Sequence, residues 1–124
     1  MNTVEFYELL GRLQMDIINI DEKNVIEILR DDAEEYGGYI YSLMFCVNVE
    51  NYKDMDDLTF LKAVLKEYND SMDYNISYNL YTESENVNGT IENLACASRT
   101  LVNVAKEMLV IKNKIKSLEK EKEL

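Results

Sequence analysis

Apolar residues return at helical spacing from the start of the chain, where Phe6, Leu9, Leu10, Leu13 and Ile17 share one side of residues 3–18. Asn2 and Glu5 make a capping pair, so a first helix is expected from Thr3 to Ile18. Asp21 is placed to cap a second helix whose buried side is Val25, Ile28, Leu29 and Tyr36. Gly37-Gly38 ends it, because glycine tolerates the left-handed turn that follows a helix. The two predict an N-terminal helical hairpin.

The period then changes. In "YIYSLMFCVNV" (39–49), Tyr39, Tyr41, Leu43, Phe45, Val47 and Val49 alternate, which predicts one strand. Ile40, Met44 and Cys46 make its other face apolar too, as in a strand covered on both sides. "NYKDMDD" reads as a loop, with Asp56 or Asp57 capping a helix to about Tyr68 whose core side is Leu58, Leu61, Val64, Leu65 and Tyr68. "DYNISYNLYTE" (73–83) alternates again: Tyr74, Ile76, Tyr78 and Leu80 inward, Asn75, Ser77, Asn79 and Tyr81 outward. Strand, helix and strand together predict a small sheet with a crossover helix.

After a turn at 84–89, Leu94, Ala97, Leu101, Val104, Met108, Ile111, Ile115 and Leu118 step by three and four, a heptad seam. A helix from Thr90 to Lys122 is roughly 50 Å long at about 1.5 Å per residue. A body of about 90 residues is only roughly 30–35 Å across, so something like 15 Å of helix is expected to project. Leu101, Val104, Met108, Ile111, Ile115 and Leu118 are therefore the candidate oligomerisation seam, with a homodimer or higher homo-oligomer as the expected outcome. The fold class predicted is α+β: an N-terminal helical hairpin, a small sheet with a crossover helix, and a long C-terminal helix. One domain spans 1–124, divided into an α+β body (1–89) and the long helix (90–124).

Charge sharpens this division. The chain has 124 residues and a net charge of −11, distributed as −7 over residues 1–38, −6 over 39–89 and +2 over 90–124. An acidic body repels phosphates and anionic lipid, so direct contact with nucleic acid or membrane is not expected. No apolar run approaches the ~18 residues of a membrane span. Two cysteines, Cys46 and Cys96, without a signal segment read as reduced, buried hydrophobes in a cytoplasmic protein.

Catalysis has little to draw on. Histidine is absent, and no P-loop, G-x-S-x-G, C-x-x-C or H-E-x-x-H occurs. Catalytic residues, cofactors and metal ligands are accordingly not assigned. Asp54, Asp56 and Asp57 lack the glycine and distal glutamate of a calcium loop, and acidic residues suit a helix start in any case.

What is conspicuous is the density of carboxylates in "RDDAEEY". Asp31, Asp32, Glu34 and Glu35, with Asp54, Asp56 and Asp57, are the candidate partner-binding residues of an acidic surface that would attract a basic protein. One version is mimicry of nucleic-acid phosphates, which would block a nucleic-acid-binding protein. The profile resembles in style the small, acidic, tyrosine-rich, motif-free inhibitors of nucleic-acid-handling defence machines carried by phages and other mobile elements. Solubility alone would also account for such charge. An immunity protein neutralising a basic toxin predicts the same surface with a different partner. A further alternative is an oligomeric protein that sequesters a small nucleotide-like ligand, with Tyr81, Arg99 and Lys106 as contacts. Tyr39, Tyr41, Tyr52 and Tyr81 are expected near strand ends or the outer face, where tyrosine favours interfaces.

Overall fold

A computed structural model of the chain describes residues 20–84 and 90–123, with side chains for 20–71 and 101–123. The expected helix 3–18, and with it half of the expected hairpin, lies outside the described residues. The architecture is α+β with a long C-terminal helix, in the order α1 (Val25–Glu35), β1 (Tyr39–Ile40), β2 (Val47–Asn48), a 3-10 turn (Tyr52–Asp54), α2 (Asp57–Ser84) and α3 (Thr90–Glu123).

Asp21 caps the turn that leads into α1. Its Oδ1 accepts from the backbone N–H of Lys23 and of Asn24 at 2.8 and 3.0 Å, and Asn24 Oδ1 accepts from Asp21 N–H at 2.7 Å. Val25, Leu29 and Ala33 are the buried stripe of α1. Tyr36, expected on that stripe, is instead exposed, because the helix stops at Glu35 and Tyr36 adopts a non-helical backbone. Gly37 and Gly38 both have positive φ (65° and 107°), and Gly38 N–H bonds Ala33 O at 2.8 Å. This is the six-to-one bond of a glycine-terminated helix.

The stretch 39–49 is not one strand. It is a hairpin, with Tyr39 opposite Asn48 and Ile40 opposite Val47, antiparallel, around the wide loop 41–46. Ile40, Leu43, Phe45, Val47 and Val49 are buried. The alternation expected from Leu43 onward holds, but Tyr39 and Tyr41 face out and Ile40 faces in, so the parity flips between residues 40 and 43. A change of one residue in register exchanges the two faces of a strand, and the bends at 42–45 supply it. Cys46, expected to be buried, is an exposed free thiol; the side chain of Cys96 lies outside the described residues.

The segment 73–83, expected as a strand, is the second half of α2. Tyr74, Tyr78 and Tyr81 also satisfy a helical period, and no glycine or proline interrupts residues 39–88. With nothing to break it, a helix begun at Asp57 propagates, each added residue contributing a backbone hydrogen bond. Among the described residues there is consequently no crossover helix, and the sheet is the two-stranded hairpin alone.

This longer α2 changes the fate of the last helix. Residues 57–84 and 90–123 run antiparallel, with Lys62–Glu119 at 3.3 Å and Asp56–Lys122 at 3.2 Å tying the start of α2 to the end of α3. Val104, Met108, Ile111 and Ile115 are buried in the same core as Phe60, Leu61, Val64 and Tyr68. Leu101 and Leu118 are half-buried against it. Each such side chain contributes about 1.5–3 kcal/mol when fully buried. The seam proposed for oligomerisation is thus occupied by the chain's own α2. The expected 15 Å projection presumes a rounder body beside the helix. A partner helix roughly 42 Å long, at about 1.5 Å per residue, removes that ground.

Candidate interaction surface

The seven carboxylates named from the sequence divide into two groups. Asp32 Oδ2 accepts three bonds from the hairpin loop: Tyr41 N–H at 2.8 Å, Ser42 N–H at 2.6 Å and Ser42 Oγ at 2.6 Å. Glu34 accepts from the Tyr52 hydroxyl at 3.1 Å and lies 3.9 Å from Lys53 Nζ. Asp56 caps α2 through Thr59 N–H at 2.8 Å and pairs with Lys122. The Thr59 bonds and Lys122 hold its carboxyl down at about 2. Asp57 pairs with Arg30 at 3.0 Å. Asp31, Glu35 and Asp54 are exposed and take no part in these bonds. Asp54, Asp56 and Asp57 do not converge. Among the described residues, no group of three acidic, cysteine or histidine side chains is placed to hold a metal ion.

Arg30 has a role that charge density alone did not reveal. Its Nε bonds Asp57 Oδ1 at 3.0 Å, and its two terminal nitrogens bond Tyr52 O at 3.1 Å and Met55 O at 2.7 Å. Its guanidinium lies over the Phe60 ring at 4.5 Å from the centroid. The sole cation of α1 is thereby turned toward the 3-10 turn and the start of α2. A planar fork satisfies this set of acceptors, and the face of an aromatic ring stabilises it.

Glu107 was also missed. It is buried at 4% exposure on α3, and its two oxygens accept from Met44 N–H at 2.9 and 3.0 Å. The Tyr68 hydroxyl donates to it at 3.4 Å. Burial pushes its carboxyl up to about 7, against the lowering effect of the Met44 and Tyr68 bonds. Burial, with Glu107 beside it, likewise raises Tyr68. A signal existed in the sequence: Glu107 stands three residues after Val104 and four before Ile111, on the inward side of the helix.

These two carboxylates, Asp32 and Glu107, hold the loop at Tyr41–Ser42 and at Met44, and beside it lies an exposed patch. Tyr36, Tyr39, Tyr41 and Met44 are 46%, 44%, 56% and 42% exposed. Tyr36 meets Tyr41 edge-on at 4.8 Å between centroids, and Tyr39 stacks on Tyr41 at 6.2 Å with 19° between planes. Partial desolvation, and then the neighbouring Cys46 and Tyr39, raise the Tyr41 hydroxyl, which stays neutral.

A separate groove of about 460 Å³ runs between α2 and α3, floored by Leu65 and Ile115 and edged by Lys62, Lys66, Asn69, Lys112, Lys116 and Glu119, with Lys62 paired to Glu119 and Lys66 to Asp70. Of the alternative ligand contacts, Lys106 is half-buried on α3, while the side chains of Tyr81 and Arg99 lie outside the described residues. Among the described residues no helix is long and apolar enough to cross a membrane. No protein-family model, no curated protein and no solved structure matches the chain.

Proposed function

We propose that this chain is an acidic, cytoplasmic interaction protein, working by binding and not by catalysis, whose partner is a basic macromolecule such as a nucleic-acid-binding protein. The observation that carries this reading is the unneutralised outer face of α1. Glu27, Asp31 and Glu35 are exposed there, while Arg30, the one cation of that helix, is engaged inward. Such a face raises the encounter rate with a positive surface and disfavours nucleic acid itself. Occupying a phosphate-binding groove would make the protein an inhibitor, as expected of a mobile-element antagonist of a defence machine. A basic toxin bound by an immunity protein would present the same chemistry.

Affinity capture from native lysate tests the reading. A basic protein should be retained and then released as the Debye length falls from roughly 10 to 3 Å with added salt. Replacing Glu27, Asp31 and Glu35 with neutral amides should abolish retention. Capture that is unaffected by both treatments refutes the acidic face.

The groove between α2 and α3, where four lysines face one glutamate, favours a second reading, a small anionic ligand held there. A nucleotide that raises the melting temperature of the protein, and does so equally with the neutralised α1, would select it.

A further inference from the structure

We infer that Tyr36, Tyr39 and Tyr41, with Met44, form the docking platform for an arginine-bearing segment of the partner. This rests on the reading of the protein as an acidic binder and adds the place and chemistry of contact.

Among the described residues, the large hydrophobic side chains that stand exposed are these four, and all lie between residues 36 and 44. Monomeric proteins do expose single apolar residues, but a contiguous patch with polar surroundings marks a contact site. Tyrosine and methionine are both enriched in such contacts. Tyrosine brings a large area with few rotamers to freeze, and methionine adapts to the partner's shape.

The platform is built in advance. Gly37 and Gly38 turn the chain sharply out of α1, and β1 pairs Tyr39 with Asn48. Tyr41 N–H is fixed by Asp32, and Met44 N–H by the buried Glu107. The rings are further held by their own edge-on and stacked contacts. Little ordering entropy remains to be lost on binding, which is what lets a small patch contribute usefully to affinity.

The surroundings select the occupant. Glu35 directly precedes Tyr36, and Asp31 is exposed one turn earlier on the same helix. Aromatic faces beside carboxylates suit a guanidinium, which stacks on the ring and forks to the acid. A lysine ammonium, more strongly hydrated and without a plane, gains less from stacking. An aliphatic partner would leave the carboxylates undischarged, and a phosphate or lipid headgroup would be repelled by them.

Fluorescence anisotropy of two labelled peptides of equal charge, one arginine-rich and one lysine-rich, tests this on the full chain. The arginine peptide should bind at least ten-fold more tightly. The triple substitution Tyr36→Ser, Tyr39→Ser, Tyr41→Ser leaves net charge unchanged and should weaken it by ten-fold or more, with unaltered far-UV circular dichroism. Tyr39→Phe with Tyr41→Phe keeps the ring faces and should retain binding. If the triple variant unfolds, Tyr39→Ser alone should still cost several-fold. Bound arginine peptide should also shield the adjacent exposed Cys46 from alkylation, read residue by residue by mass spectrometry. Equal binding of both peptides, unmoved by tyrosine substitution but lost on neutralising α1, overturns the platform and leaves the acidic reading standing. Binding of neither peptide overturns both.

Discussion

Glu107 makes the stability of this protein depend on pH in a direction opposite to that of most carboxylates. Its carboxyl sits at about 7 when folded, against 4.5 ordinarily, because burial disfavours the charged form and no cation compensates. The polar groups facing it are Met44 N–H from the hairpin loop and the Tyr68 hydroxyl from α2. Between these two pH values the folded chain holds a proton that the unfolded chain has released. Stability from this group is therefore greatest below about 4.5 and is lost as the pH rises through about 7. At ~1.36 kcal/mol per pH unit, the difference is roughly 3 kcal/mol. Glu107→Gln removes the titration and keeps an oxygen for Met44 N–H. Urea unfolding of both proteins from about pH 5 to about pH 8 isolates the effect, since all other carboxylates cancel in the comparison. The glutamine variant should gain on the wild type by roughly 3 kcal/mol as the pH rises across this window. Parallel stability profiles would refute the reasoning and mean that water or movement of the loop relieves the buried charge.

Four further substitutions, at three positions, test the frame around the surface. Arg30→Ala leaves the carbonyls of Tyr52 and Met55 and the Asp57 carboxylate without their donor. It should destabilise by about 2–4 kcal/mol in a urea melt. Arg30→Lys should recover little, having no fork to offer. Gly38→Ala places a methyl 3.0 Å from Asn48 Oδ1 and 3.1 Å from Val49 O at φ +107°, and should cost about 1–3 kcal/mol. Gly37→Asn, at φ +65° with nothing within 4 Å, should be close to neutral by the same measurement, asparagine being tolerant of the left-handed region.

What could be read from the sequence, and what could not, follows from the range of each signal. Helix ends announced by local chemistry were legible: Asp21 and Asp56 as caps, Gly37-Gly38 as a stop, Thr90 as a start. The apolar stripes of α1, early α2 and α3 were legible for the same reason, since a period of 3.6 reports one buried side whatever lies opposite. The partner of that side was not. Ile115 and Leu118 read equally well as a seam for a second copy or for α2, and the choice turned on whether 73–83 was strand or helix. An eleven-residue stretch whose tyrosines fit both periods cannot decide that locally. The inversion of Tyr39 and Tyr41 was hidden too, because it depends on Asp32, nine and ten residues away, binding Tyr41 and Ser42. Their outward placement near a strand end was nonetheless expected, and Tyr39 and Tyr41 are there.

The acidic residues show why composition alone is a weak guide to a binding surface. Asp32 and Glu107 count as carboxylates no less than Asp31 and Glu35, yet they are spent on backbone N–H groups of the hairpin loop, at Tyr41, Ser42 and Met44. Asp56 and Asp57 likewise each serve one end of a joint, to Lys122 and to Arg30. A count of carboxylates therefore mixes those that build the frame with those that face outward from it. The two kinds are coupled: the same bonds that remove Asp32 and Glu107 from any partner's reach hold Tyr41 and Met44 where a partner would meet them. Neutralising Asp32 should consequently weaken partner binding as well, but together with stability. Neutralising Asp31 and Glu35 should weaken binding with the unfolding midpoint unchanged, and that difference is what separates a contact from a support.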